Sequence, residues 1–91
     1  MTTKPPKIIT EIKEREEKEM TRAAIEKLKG TLHETALEQK KKMRKNLLEV
    51  GREQEAREQQ TSIAGYLHAL RNCGIITERE RGVLFIYYGT I

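Results

Sequence analysis

Side chains able to perform acid–base or nucleophilic chemistry are few in this chain of 91 residues. Ser62 is its only serine, Cys73 its only thiol, and His33 and His68 its only imidazoles, while Asp is absent. This set does not assemble a catalytic triad, and one histidine with one cysteine falls short of the ligand set of a zinc site. Nor is there a glycine-rich loop that would cradle a phosphate. The sequence therefore predicts no enzyme activity, no cofactor and no metal site.

The lysines and arginines indicate binding rather than catalysis. The formal net charge is +4, and residues 40–60 hold seven basic and four acidic side chains. A basic helix face neutralises phosphates, although no aromatic residue lies nearby to stack bases. A solvated helix face balanced by neighbouring glutamates is the competing interpretation. Nucleic-acid contact is our alternative prediction, and it would use Lys40, Lys41, Lys42, Arg44, Lys45 and Arg52.

The most apolar segment of the chain is the run Val83–Tyr88. Six consecutive apolar residues cover every side of a helix, and one neighbouring helix covers only one of those sides. An exposed patch of that size usually marks an interface. We therefore predict contact with a partner protein or with a second copy, through Leu67, Leu70, Val83, Leu84, Phe85, Ile86, Tyr87 and Tyr88. A self-contained helical hairpin that packs on the long helix is the competing interpretation.

The elements that carry these residues are predicted to be helices. All 14 acidic residues are Glu, and Glu, Lys, Arg, Gln, Leu and Ala are strong helix formers. Pro5 and Pro6 restrain the start, so residues 1–7 are predicted to be a disordered leader. Nothing from residue 8 onward forbids helix. We predict an all-α fold in which residues 8–60 form a long charged amphipathic helix.

A narrow apolar stripe follows one face of this predicted helix at a period of 3.6 residues. Such a stripe covers one neighbour, either the chain's own C-terminal part or a second copy. Because a chain of this length builds only a marginal core, we predict a homodimer. The stripe consists of Ile25, Leu28, Leu32, Ala36, Met43, Leu47 and Val50.

Glycines at positions 30 and 51 raise the question of whether the long helix is continuous. Gly30 precedes Thr31 and Glu34, which have the spacing of a capping box, yet the apolar phase runs through the glycine unbroken. We favour a continuous helix there, with a break near Gly30 or Gly51 as the alternative. We predict the end of the long helix at residues 59–62, "QQTS", where a hydroxyl can cap the next helix.

Residues 61–91 are predicted to form a C-terminal helical hairpin. Gly74 is a natural left-handed end for its first helix, and Thr77 with Glu80 forms a capping box that opens the second. The run 83–88 is bracketed by glycines and is rich in aromatic and β-branched residues, which is also typical of a strand. The capping box favours a helix.

The cellular setting follows from what the sequence lacks. A lone cysteine fits a reducing compartment, and the first residues contain no signal-peptide core. No apolar run approaches the roughly 18 residues that read as a membrane span. We expect a cytoplasmic protein without a membrane partner.

Two local resemblances cover residues 67–89. Residues 77–89, "TERERGVLFIYYG", resemble the first helix of the promoter-recognition region of bacterial sigma factors, and the preceding Leu67 and Leu70 suit that family. This resemblance implies a helix that packs against or contacts polymerase subunits. The DNA-reading helix-turn-helix of that family follows the matching residues, so promoter recognition is not implied. Residues 70–80 are similar to the short C-terminal helical hairpins of many bacterial proteins, which implies oligomerisation or docking.

These observations together predict a small non-enzymatic regulatory protein that acts by occupying a partner protein. The transcription machinery, or another nucleic-acid machine, is the first place to look for that partner. So small a regulator also suits a phage or another mobile element.

Overall fold

The computed structural model describes residues 7–91, with side chains from Glu14 onward. Positions 1–6 of the predicted leader lie outside the described residues. The described chain forms α1 (Lys7–Leu28), α2 (Leu32–Glu49), α3 (Glu53–Asn72) and α4 (Glu78–Gly89), and contains no strand. The all-α prediction is confirmed, and residues 83–88 are helical. No helix within this part of the chain combines the length and the apolar composition that a bilayer crossing requires.

The favoured continuity of the helix through residues 8–60 is wrong, and the alternative of a break near Gly30 or Gly51 is confirmed, because the chain turns at both glycines. Gly30 and Gly51 have φ of 78° and 77°, a left-handed conformation that ends a helix and that glycine adopts without strain. After Gly30, the hydroxyl of Thr31 accepts a hydrogen bond from the amide of Glu34 and caps α2. The helix-ending glycines and the Thr31 cap therefore outweigh the unbroken apolar pattern of the sequence.

The predicted break at residues 59–62 is also wrong, since these residues lie inside α3. The Thr61 hydroxyl donates to the carbonyl of Arg57, four residues earlier, instead of capping a new helix. A threonine that bonds back in this way is compatible with an uninterrupted helix. The break that sequence reasoning placed here lies at Gly51, where the amide of Arg52 donates to the carbonyl of Leu47.

Local signals at the start of α4 are confirmed. The Thr77 hydroxyl accepts from the amide of Glu80 at 3.1 Å, and the Glu80 carboxylate accepts from the amide of Thr77 at 2.8 Å. Before them, Gly74 has φ of 75°, and the amide of Ile75 donates to the carbonyl of Leu70. This is the Schellman arrangement that ends a helix while satisfying its last carbonyls.

Helix α4 lies at the centre of the fold and packs against each of the other three helices, while α2 packs along α3. A helix that is apolar on all sides is expected in such a position. The chain's own helices therefore cover most of the run Val83–Tyr88. The core consists of Ala24, Leu28, Leu37, Ile63, Leu67, Leu70, Ile76, Leu84 and Tyr88.

The predicted apolar stripe does not face the core along α2. Its members Leu32, Met43 and Val50 are exposed, whereas Leu37 and Arg44 are the buried residues of this helix. The prediction failed because it extended one helical phase from α1 into α2, and the turn at residues 29–31 gives α2 a new direction.

Candidate protein-binding surfaces

Two of the predicted nucleic-acid-binding lysines make contacts within the fold. The Lys40 ammonium donates to the hydroxyl of Ser62 at 2.8 Å, which ties α2 to α3. The Lys41 ammonium lies 3.6 Å from the centre of the Tyr87 ring, a cation–π contact with α4. Burial, followed by repulsion from Lys45, lowers the pKa of Lys41. These side chains stabilise the packing of α2 rather than form an open basic face.

Arg44 is a structural residue, and sequence reasoning missed this. Its side chain is only 6% exposed, and its Nη2 donates to the backbone carbonyl of Ile91. Nearby, the amide group of Gln60 donates to the carbonyl of Gly89 at 2.9 Å. Gln60 therefore satisfies the last carbonyl of α4, and the Arg44 guanidinium binds just beyond this helix end, where a cation interacts favourably with the helix dipole. The only sequence signal was the position of Arg44, seven residues after the buried Leu37.

The other three residues of the basic set are exposed. Arg52 forms an ion pair with Glu55 at the start of α3, and Lys42 and Lys45 extend from α2 into solvent. The structure therefore divides the six predicted residues into three that make internal contacts, two exposed lysines that line one depression on α2, and Arg52 at the start of α3. They do not share one basic face.

The predicted partner-binding residues also divide into two groups. Leu67, Leu70, Leu84 and Tyr88 belong to the core, so a second protein does not reach them in the folded chain. The remaining four lie on the outer sides of α4. Of these, Ile86 is 55% exposed, whereas three are half-buried, namely Val83, Phe85 and Tyr87.

A groove between α1 and α4 collects the accessible part of the apolar run. Two adjoining depressions of about 400 and 530 Å³ share Thr21, Ile86, Tyr87 and Ile91 among their lining residues. Ile91 is 61% exposed. We call this surface the α1–α4 groove, and its apolar floor consists of Ile25, Val83, Ile86, Tyr87 and Ile91. Sequence reasoning missed the contribution of α1 to this surface.

The edges of the α1–α4 groove carry charges of both signs in nearly equal number. One wall is the exposed flank of α1, which carries both acidic and basic residues. The opposite wall is the first turns of α4. Four glutamates and three cationic residues line these edges: Glu14, Glu17, Glu26, Glu78, Lys18, Arg22 and Arg79.

Ion pairs fix the first turn of α4 beside the groove. The Glu78 carboxylate accepts from Arg81 in its own helix and, at 2.8 Å, from Arg71 of α3. Across the helix, the Lys27 ammonium donates to Glu80 at 2.9 Å. Burial alone would raise the pKa of Glu80, but the hydrogen bonds from Lys27 and from the Thr77 amide outweigh it and lower that pKa. The α4 wall of the groove is therefore held to both α1 and α3.

The Glu78 ion pairs predict a loss of stability in acid. The hydrogen bond from Arg81, followed by that from Arg71, lowers the pKa of Glu78 from 4.5 to about 2. A lowered pKa in the folded state stabilises the protein above the unfolded value, and this stabilisation disappears as the pH falls from about 4.5 to about 2. Thermal melting followed at several pH values should show a steeper loss for the wild type than for Glu78→Gln. Parallel curves for the two proteins would contradict the assignment.

None of the residues considered first for catalysis lines the α1–α4 groove. His33 Nδ1 and the Tyr66 hydroxyl are hydrogen-bonded at 2.8 Å across α2 and α3. His68 and Cys73 are both exposed. Within the part of the chain that the structure describes, no three His, Cys or Glu side chains lie close enough to hold a metal ion.

Comparison with known proteins gives no match to this chain among family models, curated proteins or solved structures. The sigma-factor and hairpin resemblances of residues 67–89 therefore remain predictions.

Proposed function

We propose that this chain is a small non-enzymatic regulatory protein that acts by binding a partner protein in the α1–α4 groove. The observation that carries this proposal is the pair Ile86 and Ile91, which are 55% and 61% exposed and lie in the same depression. An apolar floor between two helices is the kind of surface that receives the apolar face of a third helix. The charged edges would fix the direction of that helix.

The transcription machinery, or another nucleic-acid machine, is the partner class that we propose. The support is the resemblance of residues 77–89 to a sigma-factor helix that contacts polymerase subunits. In this fold the resembling segment is α4, and its accessible residues include Arg79 and Ile86, which line the groove. A cytoplasmic location, a homodimeric state and a phage or mobile-element origin belong to the same proposal.

Direct nucleic-acid binding is the weaker candidate. Lys42 and Lys45 favour it, because both are exposed on α2. The other three residues on α2 disfavour it, since their cationic groups are engaged within the fold: Lys40 with α3, Lys41 with α4 and Arg44 with the carbonyl of Ile91. Two exposed lysines neutralise few phosphates, and the affinity would be low at physiological salt.

Affinity capture from native lysate, with and without nuclease, separates these two functions. Since the proposed contact joins two proteins, we expect the full-length chain to retain a stoichiometric protein partner after DNase and RNase treatment. Loss of every captured protein after nuclease treatment would contradict the proposed function and favour the nucleic-acid candidate.

A further inference from the structure

We infer that a second copy of this chain covers the α1–α4 groove in the free protein, so that two copies pair groove to groove. The inference rests on the proposed function, because it names an occupant for the same surface. It concerns the apolar floor that the chain's own helices leave uncovered, where Ile86 and Ile91 are the most exposed residues.

The charges at the edges of the groove favour a copy of the same chain. A two-fold contact brings one surface against itself, so that surface must be self-complementary. If the edge carried charges of only one sign, it would repel the same edge of the second copy. The α1–α4 groove instead has four acidic and three basic residues. Both signs occur along its α1 edge, as Glu14, Glu17, Lys18, Arg22 and Glu26. Two such edges can place acidic residues of each copy beside basic residues of the other.

The size of the surface makes the charged edge part of the contact. Stable dimers bury roughly 800 Å² per copy, about an eighth of the 6883 Å² that this chain exposes. The apolar floor is only five residues, which is too few for such an area. The exposed flank of α1 from Glu14 to Glu26 adds about 18 Å of helix on one side of the floor. We therefore expect a dimer of moderate affinity whose formation depends on the charges of α1.

A shared surface has a regulatory consequence. The second copy and the partner protein compete for the same groove, so a partner meets an open groove only after the dimer dissociates. The apparent affinity for the partner then falls as the concentration of this chain rises.

Two charge-reversal variants test the pairing. The double variant Glu14→Lys with Glu17→Lys gives a mostly basic edge, and the double variant Lys18→Glu with Arg22→Glu gives a mostly acidic one. At low salt, sedimentation equilibrium should show at least tenfold weaker self-association for each variant alone. An equimolar mixture of the two should recover dimerisation, because the reversed edges complement each other. Circular dichroism checks that both variants keep their helix content.

The matched control is the double variant Lys42→Glu with Lys45→Glu, which also reverses two charges but lies outside the groove. It should dimerise as the wild type does. Any one of three results would overturn the inference. The first is a wild type that is monomeric at 100 µM, about the upper end of the range in which such a dimer forms. The others are unchanged dimerisation of the two edge variants and a mixture of them that stays monomeric.

Partner capture by an Ile86→Glu variant, measured beside these experiments, separates this inference from the proposed function. A monomeric wild type whose partner capture depends on Ile86 would overturn the inference and leave the proposed function standing. If dimerisation follows the expected pattern but the Ile86→Glu variant captures its partner normally, the proposed function is overturned and the inference is supported.

Discussion

Replacing Leu84 with alanine is expected to lower the free energy of unfolding by about 2–5 kcal/mol, the usual cost of a Leu→Ala change in a core. Leu84 is fully buried, and it lies in α4, the helix against which all three others pack. The cavity would therefore open in the helix that packs against all three others. A chain of this size has only a few kcal/mol to lose, so the variant should be largely unfolded well below the wild-type melting temperature. Urea denaturation followed by circular dichroism measures the change.

Leu32→Ala is the matched control for this prediction. Leu32 is 85% exposed at the start of α2, and the same side-chain truncation should change the free energy of unfolding by less than about 0.5 kcal/mol. Equal losses at the two positions would contradict the central place of α4. The two leucines are indistinguishable by residue type, and only their positions in the fold separate them.

The ends of the C-terminal helices could be predicted from sequence because their signals are local. Thr77 and Glu80 satisfy each other's backbone amides, and Gly74 adopts the left-handed conformation that the preceding helix end requires. Each of these interactions joins residues three to five positions apart, so a short stretch of sequence contains both partners of every contact. The prediction needed no knowledge of the tertiary fold.

The helix boundaries further upstream required a comparison of competing signals. At Gly30 an unbroken apolar phase opposed a glycine followed by a capping threonine, and in the folded chain the turn prevailed. At residues 59–62 the hydroxyl of Thr61 bonds within α3 instead of capping a helix. Propensity alone does not rank these outcomes, because the packing of α2 along α3 requires a turn at Gly51 and none ten residues later.

The candidate site was predictable in part. Sequence reasoning identified the run Val83–Tyr88 as the apolar anchor of the chain, but it did not reveal which residues face inward. That division depends on how α1 and α2 lie against α4, which are contacts between residues far apart in the sequence. The burial of Arg44 was invisible for the same reason, since its partner is the carbonyl of Ile91.

The second large effect is expected for Ile86→Glu, which should weaken partner binding at least 30-fold. Central apolar residues of interfaces often contribute 2 kcal/mol or more, and a carboxylate placed at such a contact must also lose its hydration. In the free chain the substitution should affect the stability of the fold only slightly, because Ile86 is 55% exposed and glutamate is a strong helix former. Circular dichroism should therefore show an intact fold. Partner binding is measured as the amount of captured protein after nuclease treatment, across a range of bait concentrations.

The control for this prediction is the double variant Lys42→Glu with Lys45→Glu. Both lysines are exposed on α2 outside the groove, so reversing their charges should leave capture of a protein partner within about twofold of the wild type, as expected for surface changes away from a contact. The nucleic-acid candidate predicts the opposite pattern, because it places the contact at these lysines and assigns no role to Ile86. If the Ile86→Glu protein folds and captures its partner normally, while the lysine variant does not, the binding site lies on α2 and not in the α1–α4 groove.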